Sequence, residues 1–197
     1  YCNAHKRFFN QNVRSKVINY YEGGELLNLE LVTDLTKIGL EIKVVTDPME
    51  SWLSYNLICI PLTKNNKLVG KEYLCDFRNS SVVEMKNSKA LITLTKHSDL
   101  LSKFELNLRD MPEEVNKLAF FLLGKKTGTT IKGLDSINVN LMDFAHSREL
   151  VSLEVLNLSW GVKCINLCNF YRKEKTWIFK EISKRIKMDD FCWNLNY

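Results

Sequence analysis

The sequence predicts an all-β fold, a two-sheet β-sandwich of about nine to ten short strands. Hydrophobic and polar residues alternate in many short segments, which is the pattern of half-buried strands. Turn-forming residues separate these segments. Residues 164–182 resemble a β-hairpin, because aromatic and β-branched arms flank a polar insert at residues 172–176. A chain of 197 residues with 45% hydrophobic content can bury one core of this size.

The first segment, residues 1–22, differs from the rest and predicts a basic amphipathic helical extension. Phe9, Val13 and Val17 recur at spacings of three and four residues, so they would share one side of a helix. The glycine pair at 23–24 ends this pattern. We expect the helix to pack on its own domain, since an apolar helical stripe is usually buried within the same chain.

The predicted sandwich domain spans residues 23–183, and the clearest strands of its first half are residues 38–44 and 55–62. The former alternates apolar and polar side chains, as in a strand with one buried face. The latter is almost continuously apolar, which is typical of a central strand. Weaker patterns predict further strands at residues 27–32, 68–77 and 90–95.

The second half of the domain is predicted to contain a proline-led turn at residues 111–116, between two strands. Pro112 suits the start of such a turn, where its missing amide donor costs nothing. The C-terminal residues 184–197 are too aromatic for plain disorder and predict a helical or capping segment that packs back on the domain. The remaining strands are predicted at residues 104–108, 118–123, 137–141 and 150–156, followed by the hairpin.

The net charge of +5 is concentrated near the C-terminus. From Lys163 to the end there are eight Lys or Arg against four Asp or Glu, a surplus of 8 − 4 = +4. This excess would attract an anionic partner such as nucleic acid or a membrane surface. A solvated basic face that maintains solubility is the commoner explanation. The candidate residues for an anion or partner surface are Arg172, Lys173, Lys175, Lys184, Arg185 and Lys187.

The six cysteines are interpreted as reduced thiols. Cys59, Cys75 and Cys164 lie in apolar strand-like segments, where a thiol packs as a small hydrophobic group. Cys164 and Cys168 would be about 13 Å apart along a strand, too far for a shared metal or a disulfide. The sequence shows neither a signal-peptide pattern nor a long apolar run, so we expect a cytoplasmic location.

The sequence offers no constellation typical of an enzyme. The three histidines, His5, His97 and His146, lie far apart and next to polar residues. Asp99 follows His97 closely, but no nucleophile is patterned around this pair, and a G-x-S-x-G elbow is absent. We therefore expect a non-enzymatic protein and consider a small hydrolase the least favoured function.

Four stretches, taken in order, resemble one known family. They are residues 23–47, the segment FELNLRDMPEEVNKLAFFL, the segment INVNLMDFAHSRELVSLEV, and the hairpin CINLCNFYRKEKTWIFKEI. Their order and spacing are similar to the TerD domain of tellurium-resistance and general stress proteins. In the hairpin, the residues that match the family's Tyr-Arg pair and following strand are Tyr171, Arg172, Trp177 and Phe179. The resemblance implies a calcium-binding sandwich of two sheets.

The positions that the resemblance assigns to calcium have mostly lost their acids. The family's Asp-x-Asp-x-Ser element falls on Ser54, Asn56 and an isoleucine, and a second acidic cluster falls on residues 100–102, with Asp99 as the nearby acid. Asp47 keeps the first acidic position. Calcium requires six to eight oxygen ligands with several carboxylates. We therefore expect a degenerate site at Asp47, Ser54, Asn56 and Asp99, weak or no calcium binding, and no cofactor.

The resemblance implies a binding or scaffold module in tellurite or chemical stress resistance or in phage defence. Its expected partners are other proteins of a stress-resistance system, and one setting for such contacts is the inner face of the membrane. The alternative is a basic module that binds nucleic acid or an anionic membrane surface through the C-terminal basic residues and the N-terminal helix. Salt separates the two, since phosphate binding weakens steeply as salt rises.

Overall fold

The computed structural model describes residues 14–19, 28–31, 35–46, 55–83, 88–124, 130–131, 134–156, 158 and 161–186. Within these ranges the chain forms thirteen strands and one 3-10 helix, Lys71–Tyr73. The strands are β1 (Arg14–Asn19), β2 (Asn28–Leu31), β3 (Ile38–Thr46), β4 (Tyr55–Leu62), β5 (Cys75–Asp76), β6 (Ser81–Val83), β7 (Ala90–Lys96), β8 (Leu101–Leu106), β9 (Lys117–Gly124), β10 (Leu134–Asp143), β11 (Arg148–Leu156), β12 (Cys164–Lys173) and β13 (Thr176–Arg185).

The strands are arranged in two sheets. The long sheet has seven strands in the order β1-β11-β10-β3-β8-β7-β6, and the short sheet has six in the order β2-β13-β12-β9-β4-β5. Neighbouring strands are antiparallel except β1 and β11, which are parallel. The predicted all-β, two-sheet architecture is confirmed, with more strands than the nine to ten expected.

A chain of aromatic rings helps to hold the two sheets together. Phe104 of the long sheet meets Phe120 of the short sheet edge to face, with ring centroids 5.0 Å apart. Phe120 contacts Phe170 at 5.5 Å, and Phe170 contacts Phe179 at 5.4 Å, again with tilted rings. Edge-to-face pairs place a positive ring edge on a negative ring face and add to the free energy of burial. All four rings are fully buried, so the core lies between the sheets.

The first strand contradicts the predicted N-terminal helix. Residues Arg14–Asn19 form β1, which pairs in parallel with β11 and matches Arg14 with Val151. The β-branched Val17 and Ile18 favour a strand, and β11 would otherwise present an unpaired edge. The helical spacing of Val13 and Val17 was therefore misleading. The other residues of the predicted 1–22 extension lie outside the described residues.

Two further predictions are corrected. Residues 68–77 were expected to form one strand, but the chain makes an isolated bridge at Leu68, a 3-10 helix at Lys71–Tyr73 and only the short strand β5. The predicted boundary at residue 184 is also shifted, because β13 continues to Arg185; the expected helical or capping segment beyond it stays a prediction. Residues 187–197 lie outside the described residues.

Candidate functional site

Of the four expected calcium positions, Asp47 and Ser54 lie outside the described residues. Asn56 lies on β4 opposite Leu123 of β9. Because side chains alternate along a strand, Asn56 shares the face of Ile58 and not that of Leu57, which packs in the core between the sheets. Its Oδ1 is buried and accepts no hydrogen bond among the described residues. Asn56 thus points to the outer face of the short sheet.

The fourth position, Asp99, lies in the loop between β7 and β8 of the long sheet. Its side chain is 85% exposed, and its carboxylate accepts a hydrogen bond of 2.6 Å from Lys96 Nζ. The hydroxyl of Tyr55 donates to the backbone oxygen of Asp99 at 2.9 Å, and burial raises the pKa of that hydroxyl. Tyr55 and Asn56 are consecutive and point to opposite faces, so the structure does not direct Asn56 and Asp99 toward one point.

The described donors do not fit a calcium ion. One is an amide on the outer face of the short sheet, and the other is an exposed carboxylate that contacts a lysine. Within the described ranges, no three His, Cys, Asp or Glu side chains group closely enough to hold a metal. Calcium sites need several convergent oxygen ligands, so these two residues alone form no cage.

The end of the β12–β13 hairpin forms a densely connected polar site. Arg172 lies opposite Trp177, and its guanidinium stacks over the indole ring with 4.8 Å to the ring centroid. Its Nε donates to Val115 O at 2.9 Å, and its Nη2 donates to Met111 O and Pro112 O, each at 2.9 Å. Burial lowers the pKa of Arg172. We call this arrangement the Arg172 clamp, because it fixes the proline-led turn to the hairpin.

Trp177 extends the Arg172 clamp into the core. The indole is 1% exposed, and its Nε1 donates to Leu108 O at 3.1 Å, just before the proline-led turn. The neighbouring Thr176 hydroxyl donates to Leu31 O of β2 at 2.7 Å. Buried Trp N–H groups need a partner, and this one is satisfied. Phe179, another residue that matches the family's hairpin, is also fully buried, and Tyr171 is half-buried beside them.

A second polar cluster organises the turn between β10 and β11. The Asp143 carboxylate is fully buried; it accepts from Arg148 Nη2 at 3.1 Å and lies 2.9 Å from His146 Nδ1. Ser147 adopts a positive φ of 49°, as a tight turn requires. Sequence analysis noted only the polar neighbours of His146 and missed this contact, although the three-residue spacing from Asp143 is a signal for a side-chain-capped turn. The cluster compensates a buried charge and shapes the hairpin.

The architecture and its hairpin can be compared with known proteins. The profile of the TerD domain family matches residues 8–189, which is most of the chain. The chain belongs to the TerD domain family. Membership confirms the resemblance that the order of strands suggested. A comparison with curated proteins gives no match at a significant level.

Two solved structures share the TerD sandwich. The crystal structure of SAV2460, a protein of unknown function, has a TM-score of 0.57 and 11% identity, and the match covers 78% of this chain and 91% of that chain. A homologue of telluride resistance protein TerD, SCO6318 from Streptomyces coelicolor A3(2), has a TM-score of 0.53 and 13% identity, with 81% and 95% covered. At such low identities the likeness shows the fold alone.

The basic surface predicted for this TerD domain is only partly described. Arg172 directs its Nε and Nη2 to backbone carbonyls, and Lys173 pairs with Glu30 at 3.3 Å on the surface. Lys175 is exposed on the hairpin turn. Lys184 and Arg185 are the last residues of β13, and only their backbone is described. Lys187 lies outside the described residues. The predicted anionic partner therefore stays a prediction. Among the described residues, no helix has the length and hydrophobicity to cross a membrane.

Proposed function

We propose that this TerD domain is a non-enzymatic binding or scaffold module that serves tellurite or chemical stress resistance or phage defence without bound calcium. The observation that carries the proposal is the divergence of the two described calcium positions. Asn56 turns its amide to the outer face of the short sheet, whereas Asp99 extends a solvated carboxylate from the long sheet. The family match supports the stress-resistance setting.

The histidine environments support a role without catalysis. The His146 ring contacts the buried Asp143, and the backbone amide of His97 donates to Leu101 O. Neither ring hydrogen-bonds to a Ser, Thr or Cys side chain among the described residues. A general base requires a nucleophile or substrate proton within hydrogen-bond reach. The described histidines thus serve turn geometry and solvation.

Two of the described basic residues of the hairpin, Arg172 and Lys173, favour a protein partner over nucleic acid. Arg172 donates to three carbonyls inside the protein, and Lys173 already faces Glu30. Nucleic-acid surfaces depend on basic side chains that reach phosphates. We therefore propose that the partner is another protein of the resistance system.

Calcium titration by calorimetry tests the absence of a cation site. We expect no saturable heat and no change in the melting temperature between excess calcium and excess chelator. Asn56→Asp is the matched variant, since it restores one acid at the family position, and we expect it also to bind no calcium because the described donors diverge. Stoichiometric binding by the unchanged protein, with a Kd of about 10 μM or tighter, would contradict the proposal.

Deletion of the coding sequence in the native host tests the physiological part. We expect the deletion strain to lose resistance to tellurite or another chemical stress, or to phage, and the unchanged sequence to restore it. Variants of His97 and His146 should restore resistance equally well if no catalysis is involved. Loss of rescue by either variant, with normal protein levels, would contradict the non-enzymatic role.

A further inference from the structure

A partly enclosed cavity of about 500 Å³ opens at the end of the short sheet. Three adjacent strands finish there, because Leu62 of β4 and Tyr171 of β12 both lie opposite Lys117 of β9. Backbone hydrogen bonds from Asn116 N to Leu62 O and from Arg172 N to Asn116 O fix this end. Its volume lies within the range of small-molecule sites. We call it the strand-end pocket.

The strand-end pocket carries an excess of positive charge. Its lining includes Lys64, Lys117 and Arg172, and among the described lining residues the carboxylate belongs to Glu174. None of the three cations forms an ion pair among the described residues. The Arg172 guanidinium donates to neutral carbonyls beside the core, where the carboxylates of Glu113 and Glu114 also act on it, so the two lysines supply the unpaired positive charge. A concave site with unpaired cations concentrates anions.

Neutral groups hold the central lysine of the strand-end pocket. Lys117 Nζ lies 3.3 Å from Asn66 Oδ1 and 5.4 Å from the centroid of the Tyr171 ring. An amide oxygen and an aromatic face orient an ammonium group without cancelling its charge. The ammonium has three donors, and Asn66 takes one, so two remain for a ligand. This geometry suits the oxygens of a phosphate.

The remaining lining suits the hydroxyl groups of a sugar. Asn66 and Asn116 offer amide donors and acceptors, Thr63 offers a hydroxyl, and Glu174 offers acceptor oxygens. Tyr171 supplies an aromatic wall. A bare oxyanion occupies only a small part of about 500 Å³, since one water takes about 30 Å³ in the liquid. The space therefore admits a larger molecule that carries one strongly anionic group.

We propose that the strand-end pocket binds a small phosphorylated sugar. The phosphate lies against Lys64 and Lys117, and the sugar hydroxyls face Asn116 and Glu174. The proposal rests on this cavity and depends on neither the calcium nor the scaffold proposal. Its failure therefore leaves both of those intact.

Calorimetry with three probes tests the two parts of the ligand. We expect glucose 6-phosphate to bind saturably at low salt, inorganic phosphate to bind more weakly, and glucose not to bind. Binding should weaken as salt rises because the charges are screened. No saturable binding of glucose 6-phosphate overturns the proposal. Equal binding of phosphate and glucose 6-phosphate overturns the sugar component.

A pair of lysine variants separates the pocket from the general positive charge of the protein. Lys117→Met keeps the unbranched apolar stem and removes the ammonium, and we expect it to weaken glucose 6-phosphate binding about tenfold or more. Lys175→Met is the control, since Lys175 is exposed on the hairpin turn and does not line the cavity. Equal losses in both variants would overturn a specific site. If Lys117→Met fails to fold, Lys64→Met, on an exposed loop, gives the same test.

Discussion

Replacing Arg172 by Met is expected to destabilise the domain by about 2–4 kcal/mol. The substitution keeps an unbranched apolar stem but removes the guanidinium, which stacks over Trp177 and donates three hydrogen bonds to backbone carbonyls. A hydrogen bond to a charged group contributes about 1.5–3 kcal/mol, and the stacked cation adds about 0.5–1 kcal/mol. The sum overstates the loss, because the half-buried carbonyls regain water and coupled contacts are not additive.

Urea unfolding followed by tryptophan fluorescence measures this loss directly. Trp177, one of four tryptophans, is buried beneath the guanidinium, so its exposure on unfolding contributes to the change in emission. Arg172→Lys is the matched variant; it keeps the charge but cannot reach three carbonyls from one planar fork, so we expect an intermediate loss. If Arg172→Met unfolds within about 0.5 kcal/mol of the unchanged protein, the Arg172 clamp does not stabilise the turn.

Three other features give predictions of different kinds. A Cβ at Gly39 would overlap the backbone oxygen of Phe104 where β3 meets β8, so Gly39→Ala should cost more than about 3 kcal/mol in urea unfolding, and an unchanged midpoint would refute this contact. Burial raises the pKa of the Cys75 thiol to about 12, so peptide mapping should show little alkylation at neutral pH before unfolding, and rapid native labelling would contradict the burial. Burial alone would raise the pKa of Asp76, but hydrogen bonds from the Arg78 side chain and from backbone amides lower it below its ordinary value. The unfolded carboxyl then protonates first as pH falls, so stability should drop below about pH 4, and Asp76→Asn should flatten that drop in acid-unfolding curves.

Sequence analysis located best the strands whose burial gives a local pattern of apolar and polar residues. The predicted segment 55–62 coincides with β4, and 38–44 lies within β3, because burial on one or both faces imposes a readable order of side chains. The closing hairpin was equally clear, although its turn is shorter than expected and centres on Glu174, with a φ of 52°. Local periodicity and turn chemistry were sufficient for these elements.

Elements whose conformation depends on distant parts of the chain could not be predicted from local periodicity. The sequence pattern of β1 fits a helix. The segment forms a strand because β11, more than 130 residues later in the chain, provides an edge with which it can pair. Arg172 illustrates the same limit at the candidate site. Its match to the family's Tyr-Arg pair was visible, yet its acceptors lie 57 to 61 positions earlier in the chain. No window of sequence around Arg172 contains them, so the residue was assigned to an exposed surface.

The two candidate regions, around Asn56 and at the strand-end pocket, lie at opposite ends of one strand. Each can therefore be tested by substitutions that leave the other unchanged. Asn56 is near the start of β4, and the strand-end pocket begins beyond its last residue, Leu62. Six residues of strand span roughly 20 Å, more than twice the distance over which physiological salt screens charge. Changes at Asn56 should therefore leave the affinity of the strand-end pocket unaltered, and changes at Lys117 should leave any response to calcium unaltered. A combined variant that departs from the sum of the two would show that β4 couples its ends, and both regions would then belong to one site.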